Sequence, residues 1–475
     1  MQKSDKRPNI LFLMADQFRG DVMSCAGGPA RTPNLDAIAA EGVLFTQCST
    51  IAPLCVPARV SLFSGKYPHT TGSWDNADYV LSSDADIWTK EFRGLGYGTA
   101  LFGKTHLHGD VGDMIAREYR INGYGFDVVN EINGPHSSCW SRSHMTDEWK
   151  AKGVYESYCE DMDKRGKETK PYPSPLPLED YYDVYVGRKG NEFLENYQGD
   201  KSWFCHISFS GPHEPWDTPE PYASMYDPAK MPAPVERMID ACPDRPRGEA
   251  DRLMNKAQIQ CSPEQAAAIR ADYCGGVTLI DEMIGKVIDT IKRRGEWDNT
   301  VVLFTSDHGE MNGDHGFVNK RNFLNGALNI PMIIRTPETA AKGGVVTDTL
   351  VSLMDVGPTL VELAGGELNY QQFGKSLCPV LDGTNPDPRE YVLSEYAGEI
   401  MYMNRQWKMV TNNKGQVYLL FDKENDPGEQ RNLAGAPEAA KITAELREKM
   451  MMSLAENRCL KPSILQENID LRKEL

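Results

Sequence analysis

Short runs that are apolar along their whole length constrain the fold of this chain more than any other feature of its sequence. The first run, Asn9–Ala15, reads NILFLMA. Comparable runs follow at residues 98–102, Trp203–Phe209, 300–305 and 331–335. A strand without polar alternation is typical of a parallel sheet that is covered on both faces. Because helix-like segments separate these runs, the pattern predicts an α/β fold with a mostly parallel sheet.

The segments between the runs are predicted to contain helices and two long irregular stretches. A short helix is expected at Pro33–Glu41, with a proline in its first turn and a glycine after its end, and a long amphipathic helix at residues 263–294. Residues 110–199 are rich in Tyr, Gly, Pro and charge, with weak periodicity. We expect them to form a long excursion over the mouth of a site. Residues 217–252 form the second irregular stretch.

The C-terminal part of the chain has a different character. Short β-like runs and one helix are expected there, at residues 391–395, 401–410, 416–421 and 437–455. Such runs predict a small antiparallel sheet with one packed helix. We therefore divide the chain into a large N-terminal domain, residues 1–365, which contains the motifs described below, and a C-terminal subdomain, residues 366–475.

The charge of the chain limits its partners. Of its 475 residues, 40% are hydrophobic and 25% are charged, as in ordinary globular proteins, and the formal net charge is -17. Nucleic acids and acidic membrane surfaces attract basic proteins, so neither is an expected partner. No apolar run approaches the ~18 residues needed to span a bilayer. Because the net charge is negative, a site for an anionic substrate would have to concentrate positive charge locally.

Cysteine usage indicates a reducing compartment. The eleven cysteines include no C-x-x-C pair and no regular spacing, which argues against a disulfide framework or a structural zinc site. Basic residues precede the run Asn9–Ala15, as in a short signal peptide, but cleavage after it would leave Asp16 at the new terminus. Asp16 is a candidate metal ligand, for the reason given below. We therefore interpret the run as the first buried strand and expect a cytoplasmic protein. A periplasmic or secreted location is the alternative if a leader has been removed.

The most specific motif begins at Cys55. Residues 55–65 read CVPARVSLFSG, a C-x-P-x-R pattern followed by small hydroxyl residues and a glycine. Pro57 suits the first turn of a helix, and Arg59 lies about one turn beyond Cys55. A nucleophile and a cation would then share a helix start, which favours bound anions. An isolated cysteine is most often a small buried hydrophobic residue, but the extended pattern indicates a nucleophile.

Polar residues at the ends of two predicted strands suit a metal ion. Asp16 and Gln17 directly follow the first strand, and Asp307 and His308 follow the strand at residues 300–305. The carboxyl ends of strands are where open α/β sheets bind ligands. Two carboxylates, an amide oxygen and an imidazole are suitable ligands for one hard divalent cation, completed by oxygens of the nucleophile and the substrate.

Four further residues are candidates for anion binding and proton transfer: Lys104, His106, His213 and Lys320. Lysine suits a compact anion contact, and histidine is the usual general acid near neutral pH. Lys320 lies twelve residues after His308, and Arg321 and His315 are competing candidates for its role. His108 is a candidate substrate contact.

Taken in order, these motifs resemble those of the type-I sulfatases in the alkaline phosphatase superfamily. Residues 55–59 match the family's C-x-P-x-R motif, and residues 96–107, GYGTALFGKTHL, resemble its G-Y-x-T-x-x-x-G-K-x-H-L segment. Pro212 and His213 match its Pro-His motif, and residues 420–434 resemble its C-terminal signature. The resemblance covers nearly the whole chain. It implies a large, mostly parallel mixed sheet sandwiched by helices, with a smaller, four-stranded C-terminal domain.

The resemblance implies that the nucleophile is chemically modified. In the family, a separate maturation enzyme oxidises the cysteine at the position of Cys55 to formylglycine. One hydroxyl of the hydrated aldehyde attacks sulfur and expels the alcohol. Loss of the second proton then releases sulfate and restores the aldehyde, so that no water has to attack the sulfated enzyme.

The resemblance also implies roles for the residues around the nucleophile. Three cations would face the doubly charged transition state: Arg59, Lys104 and Lys320. Preorganised charge of this kind is commonly the largest catalytic contribution. His106 would take the remaining hemiacetal proton, and His213 would be the general acid near the leaving oxygen.

The implied metal site contains Asp16, Gln17, Asp307 and His308, completed by an oxygen of the oxidised Cys55 and by the sulfate. The family often has a second Asp at the position of Gln17, and Asn or Asp at the position of His308. These departures remove negative charge and add a nitrogen ligand. We expect calcium, with manganese or magnesium as alternatives.

The expected function is hydrolysis of a sulfate monoester. The spacing of His308 and Lys320 resembles the iduronate-2-sulfatase side of the family, which favours a sulfated sugar over an aryl sulfate. A phosphonate monoester or phosphodiester hydrolase, from a sister branch with the same modified cysteine, is the first alternative, but the pair Lys104 and His106 favours a sulfatase. The second alternative is a protein that binds sulfated ligands without turning them over. Nothing in the sequence indicates the oligomeric state.

Mass analysis of the peptide that contains Cys55, in protein from the native host, tests the predicted modification. We expect an aldehyde in place of the thiol, because the whole motif at residues 55–65 is present. The peptide that contains Cys205, which lies outside the motif, is the control and should keep its thiol. A wholly unmodified Cys55 would contradict the catalytic interpretation and favour the ligand-binding alternative.

Overall fold

The computed structural model describes residues 7–77, 79–165, 170–240 and 259–459. Some sequence predictions extend beyond these residues. They concern residues 1–6, 166–169, 241–252 and 460–475, which lie outside the described part of the chain.

Within the described residues, the main sheet has nine strands. They are β1 (Asn9–Ala15), β2 (Val43–Ser49), β3 (Gly98–Gly103), β4 (Val128–Glu131), β5 (Trp203–Phe209), β6 (Thr300–Ser306), β7 (Asn329–Ile330), β8 (Met332–Arg335) and β9 (Val345–Ser352). Their order is β7-β2-β8-β6-β1-β5-β3-β4, and β9 pairs with β2. Of these nine strands, β7 and β8 form antiparallel pairs with their neighbours. The predicted large, mostly parallel mixed sheet is confirmed.

The central strands place two polar residues side by side. β1 lies between β6 and β5 and is parallel to both. The pairing of β1 with β6 continues to the last residue of each strand, where Ala15 lies opposite Ser306. Asp16 and Asp307 come next in the chain, so both emerge at the same edge of the sheet.

The described residues form fourteen α-helices. They are α1 (Pro33–Glu41), α2 (Cys55–Ser64), α3 (Pro68–Thr71), α4 (Thr89–Gly94), α5 (Glu118–Gly123), α6 (His144–Lys152), α7 (Tyr155–Arg165), α8 (Tyr182–Asn196), α9 (Pro263–Arg293), α10 (Asn325–Leu328), α11 (Pro337–Lys342), α12 (Val356–Leu363), α13 (Cys378–Leu381) and α14 (Ala440–Glu456). None of them combines the length and the apolar composition that a bilayer crossing requires. Two of the predicted helices, α1 and α9, are present with nearly the predicted bounds.

Side chains of β1 alternate between two hydrophobic cores. Ile10, Phe12 and Met14 pack in the core that includes α2. Leu11 and Leu13 pack in the other core, which includes α8 and α9. Since successive residues of a strand point to opposite faces, helices cover both faces of the sheet. The predicted sandwich of sheet and helices is therefore confirmed.

A second, smaller sheet follows the main one in the chain. Its four antiparallel strands, in spatial order, are β10 (Val392–Tyr396), β11 (Glu399–Met403), β12 (Trp407–Thr411) and β13 (Val417–Asp422). The single strand predicted at residues 401–410 is wrong, because the chain turns at residues 404–406 and forms two paired strands. The predicted small antiparallel sheet is confirmed, and the division of the chain at residue 366 stays a prediction.

Residues 110–199 are more regular than their composition predicts. They supply the edge strand β4 and the helix α8, which packs on the sheet. β4 has only four residues, too few to reveal a period. α8 contains Gly190, and a Cβ there would lie 2.9 Å from Cγ1 of Ile207 in β5. The glycine that lets the helix approach the sheet also weakens the helical signal in the sequence.

Gly190→Ala tests this close approach. Alanine is the better helix former, but the added methyl group must displace the buried Ile207, so we expect a loss of about 1–2 kcal/mol in unfolding free energy. The matched control is Gly94→Ala in α4, where a Cβ would meet no atom within 4 Å, so that stability should not fall. Denaturant unfolding of the three proteins is the measurement. Equal stability of the two variants would contradict the packing of α8.

Candidate active site

The two strand ends bring the predicted acidic ligands together. Asp16 follows β1 and Asp307 follows β6, and both side chains are fully buried. The backbone N–H of Gln17 donates to Asp307 Oδ1 over 3.0 Å, and that of His308 donates to the same oxygen over 2.9 Å. Backbone groups from both strand ends therefore hold the Asp307 carboxylate in place.

Cys55 is the first residue of α2 and lines a cavity, although its own exposure is only 1%. Its Sγ lies 3.1 Å from His308 Nε2 and 3.8 Å from Asp16 Oδ1. Pro57 stands in the first turn of the helix, as the motif predicts. Cys55 thus meets both strand ends at a helix N-terminus, where the helix dipole favours negative charge.

Four buried side chains form a cluster that could hold a metal ion: Asp16, Cys55, Asp307 and His308. One ligand atom from each lies within 4.8 Å of all the others. His308 Nδ1 lies 3.0 Å from the carbonyl oxygen of Gly309 and can donate to it, which directs Nε2 toward the cluster. Two carboxylates and an imidazole fit a divalent cation.

The Arg59 guanidinium joins the elements around this cluster. Arg59 donates through Nε to Asp307 Oδ2 over 2.7 Å, and through a terminal nitrogen to Asp16 Oδ2 over 3.1 Å. Its other terminal nitrogen donates to the carbonyl oxygen of Lys104 and to the hydroxyl of Ser208. Lys104 Nζ lies 2.8 Å from Asp16 Oδ2. The two carboxylates therefore have two buried cations as partners.

The ionisation of the site follows from these contacts. Burial and the Cys55 sulfur raise the pKa of Asp16, but Lys104 and other cations hold it well below its ordinary value. Burial lowers the pKa of His308, but Asp307 and Cys55 raise it to about 9. Burial opposes a Cys55 thiolate, yet Lys104 and His308 hold the pKa of this thiol well below its ordinary value. The site as a whole therefore favours negative charge at position 55.

His213 and Lys320 meet on another wall of the cavity. His213 Nε2 lies 2.7 Å from Lys320 Nζ, and His213 Nδ1 lies 2.7 Å from the carbonyl oxygen of Glu214. The Glu214 carboxylate lies 3.3 Å from Lys320 Nζ and also 3.3 Å from His213 Nδ1. Burial raises the pKa of Glu214, but His213 and Lys320 lower it to about 2. One ionised carboxylate therefore serves both predicted catalytic residues.

Gln17 connects this wall to the acidic cluster. Its side-chain oxygen accepts a hydrogen bond from Lys320, and its amide nitrogen donates to Glu214 and Glu310. Glu310 also accepts from two backbone N–H groups of the loop that leads to Lys320. Sequence reasoning missed both glutamates as site residues, although Glu214 directly follows His213 and Glu310 ends the DHGE run. The role of Gln17 as a metal ligand stays a prediction.

The cavity has a volume of about 550 Å³. All four candidates for anion binding and proton transfer line it: Lys104, His106, His213 and Lys320. The backbone of His106 is left-handed, with φ 56°, and its Nε2 lies 3.6 Å from Asp110 Oδ2. Asp110 and four residues from Gly134 to Ser137 form part of the wall. This part of the predicted excursion does reach the mouth of the site.

Two histidines that the sequence suggested as site residues lie elsewhere. His108 is buried, with Nε2 2.8 Å from Glu131 Oε2, and it does not line the cavity. It is an ion-pair partner for a buried carboxylate and not a substrate contact. His315 lines a different cavity, next to Asp314 and Glu429, so it does not compete with Lys320 for a place in the site.

The fold is that of the alkaline phosphatase superfamily of hydrolases. Residues 8–366 match the sulfatase family, and residues 313–456 match the family described as N-sulphoglucosamine sulphohydrolase, C-terminal. The chain belongs to the sulfatase family, and its reaction class is the hydrolysis of sulfuric esters.

Proteins of similar sequence or structure support this assignment along most of the chain. A choline-sulfatase of Rhizobium meliloti is 30% identical over 91% of this chain and 83% of its own length. An N-acetylglucosamine-6-O-sulfatase of Bacteroides thetaiotaomicron is 27% identical over 94% of this chain and 86% of its own length. The crystal structure of a phosphonate monoester hydrolase of Agrobacterium radiobacter superposes with a TM-score of 0.80 and 26% identity, covering 95% of this chain and 96% of that one.

If the cluster binds a divalent cation, its affinity for calcium, used as the probe, should increase with pH in the protein with unmodified Cys55. Because His308 has a pKa of about 9, a cation must displace its proton at lower pH. Between about pH 6.5 and about pH 8.5 we expect affinity to rise by up to about tenfold per pH unit, measured by calorimetry.

His308→Asn keeps an oxygen ligand without a competing proton, so the pH dependence should disappear in this variant. His144→Asn removes a half-exposed histidine on α6 and should leave the pH dependence intact. Equal pH dependence in wild type and His308→Asn would contradict the role of His308 as a ligand.

Proposed function

We propose that the protein hydrolyses sulfate monoesters of saccharides to the alcohol and inorganic sulfate, with aryl sulfates as the second substrate class. The observation that supports this most is the set of residues that line one cavity. Cys55, two lysines and two histidines line the same space, as the predicted chemistry requires. A sulfate group there would meet fixed positive charge, while the two histidines could transfer protons at the nucleophile and at the leaving oxygen.

The cationic residues around the nucleophile stabilise negative charge. Arg59 and Lys104 neutralise the buried carboxylates and stabilise negative charge that develops on the sulfate oxygens. Lys320 stabilises the same negative charge from another wall of the cavity. The Glu214 carboxylate beside it keeps it protonated. Positive charge is thereby held in place before the substrate arrives.

The two histidines move protons. His213 is the general acid. Its Nδ1 donates to the Glu214 carbonyl oxygen and its Nε2 accepts a hydrogen bond from Lys320, so Lys320 can supply the proton that His213 passes to the leaving oxygen. His106 takes the remaining proton of the nucleophile, and Asp110 Oδ2 lies 3.6 Å from its Nε2.

Two groups that belong to the proposal are a metal ion and a modified Cys55. Asp16, Gln17, Asp307 and His308 would hold one divalent cation, calcium as first choice and manganese or magnesium as alternatives, which would supply additional charge stabilisation. Oxidation of Cys55 to formylglycine by a maturation enzyme would supply a hydrated aldehyde as the nucleophile. The position of Cys55 at a helix N-terminus among cations suits such a group.

A saccharide substrate is supported by one relative and by the site itself. The relative from Bacteroides thetaiotaomicron is named as an N-acetylglucosamine-6-O-sulfatase. Polar residues of the outer wall, among them Asn76, Asp110 and His136, offer hydrogen bonds to sugar hydroxyls. We also propose that the protein acts in the cytoplasm, since the cysteine pattern favours a reducing compartment.

The second candidate function is hydrolysis of phosphonate monoesters, which the structural similarity to a phosphonate monoester hydrolase favours. Residues 96–107 resemble the sulfatase segment, and its Lys104 and His106 both line the cavity, which favours sulfate esters in this chain. Net charge does not separate the two substrate classes, because a sulfate monoester and a phosphonate monoester each carry one negative charge at neutral pH. Direct competition between the two ester classes therefore decides between these functions.

Parallel rates on an aryl sulfate and the matching aryl phosphonate test the proposal. With Cys55 shown to be modified, we expect kcat/KM to be larger for the sulfate, and Lys104→Ala to lower it by about 100-fold or more, as for loss of a transition-state charge contact. Lys230→Ala, on a residue whose side chain is 81% exposed, is the matched control and should leave the rate unchanged. A large preference for the phosphonate would overturn the proposed function.

A further inference from the structure

Arg321 directly follows Lys320 and lines the same cavity. Its backbone is left-handed, with φ 76°, a region that residues with a Cβ rarely adopt. The backbone N–H of Arg321 donates to the carbonyl oxygen of Pro53 over 3.0 Å, which ties the turn to the segment just before Cys55. This turn lets two consecutive cations reach one cavity, with Lys320 buried and Arg321 exposed.

The charge of Arg321 is not compensated as those of its neighbours are. Lys104 lies 2.8 Å from the carboxylate of Asp16, and Lys320 lies 3.3 Å from that of Glu214. Across the described part of the chain, the Arg321 guanidinium forms no hydrogen bond and no ion pair within 4.0 Å. In a protein with a net charge of -17, an arginine at the mouth of a cavity that pairs with no carboxylate of the described residues leaves its charge available to an anionic ligand.

We propose that Arg321 binds a second anionic group of the substrate, a carboxylate or another sulfate on the same saccharide. The inference rests on the proposed function, because the reacting sulfate must lie beside Cys55 and Lys320. A guanidinium forms paired, charge-assisted hydrogen bonds to either kind of group. At about 550 Å³, the cavity has room for a sugar ring next to the reacting sulfate.

The charges at the mouth of the cavity argue against a cationic substrate. A quaternary ammonium group, such as that of choline, would be repelled by Arg321. Two acids line the cavity, and both are already engaged. Asp110 accepts a hydrogen bond from Ser137 over 2.5 Å and lies 3.6 Å from His106. The Glu214 carboxylate lies 3.3 Å from both Lys320 Nζ and His213 Nδ1. Among the described residues, the cavity therefore offers an anion an unpaired arginine, and offers a cation only acids that already have partners.

Three sugars with the same reacting sulfate distinguish the sources of the second charge. They are a monosulfated hexose, the corresponding sulfated uronic acid and a disulfated hexose. For Arg321→Gln we expect kcat/KM to fall by about tenfold or more on one or both dianionic sugars, mainly through KM, and by less than about threefold on the monosulfated sugar. Arg321→Lys should recover part of this loss, because it keeps the charge without the paired geometry.

Arg447→Gln removes an exposed charge on α14, away from the cavity, and should change none of the three rates. An equal loss on all three sugars with Arg321→Gln, or no loss on either dianionic sugar, would overturn the inference. A loss confined to the uronic acid or to the disulfated sugar identifies the group that Arg321 binds.

Calorimetry on the protein with unmodified Cys55 gives a readout that does not need turnover. The two dianionic sugars should bind wild type about tenfold more tightly than Arg321→Gln, and this difference should shrink at high salt. If the modified enzyme cleaves no sulfate ester, the proposed function fails. The affinities still decide the inference on Arg321, since equal binding to wild type and variant would contradict it.

Discussion

The geometry of the site depends above all on the buried Arg59 guanidinium between Asp16 and Asp307. Two carboxylates without partners would be very costly to bury, and removing one member of such a set leaves an uncompensated charge. The remaining donor of Arg59 reaches the Lys104 carbonyl oxygen and the Ser208 hydroxyl. One side chain on α2 thus bonds to groups at or near the ends of β1, β3, β5 and β6, so the site is preorganised.

The same arrangement reconciles an acidic protein with an anionic substrate. A net charge of -17 would repel a sulfate ester at most of the surface, yet Lys104 and Lys320 line one cavity and Arg59 lies buried beneath it. Each of these cations is held by a carboxylate, which keeps it charged and in position. Arg321 differs because its guanidinium has no such partner among the described residues. The charge of Arg321, which no carboxylate of the described residues neutralises, therefore remains available to a ligand.

Much of the fold could be predicted because the period of a strand or a helix is a local property of the chain. β1 and β5 have the predicted bounds, and α9 ends one residue before its predicted end. β4 and α8 could not be predicted. β4 is a four-residue edge strand. α8 contains Gly190, which lets the helix pack against Ile207 on a strand that is distant in sequence. Tertiary packing outweighed local propensity at that position.

The sequence by itself determined the nucleophile Cys55, the cation one helical turn beyond it and the acidic residues at two strand ends, because each belongs to a short contiguous pattern. The tertiary structure alone decided which distant side chains meet. His213 and Lys320 are 107 residues apart in the chain but 2.7 Å apart in space. Such contacts depend on the paths of the loops and on which charged side chains pair when they are buried. No local sequence pattern encodes either of these properties. For that reason only the folded chain reveals that Glu214 has partners and that Arg321 has none among the described residues.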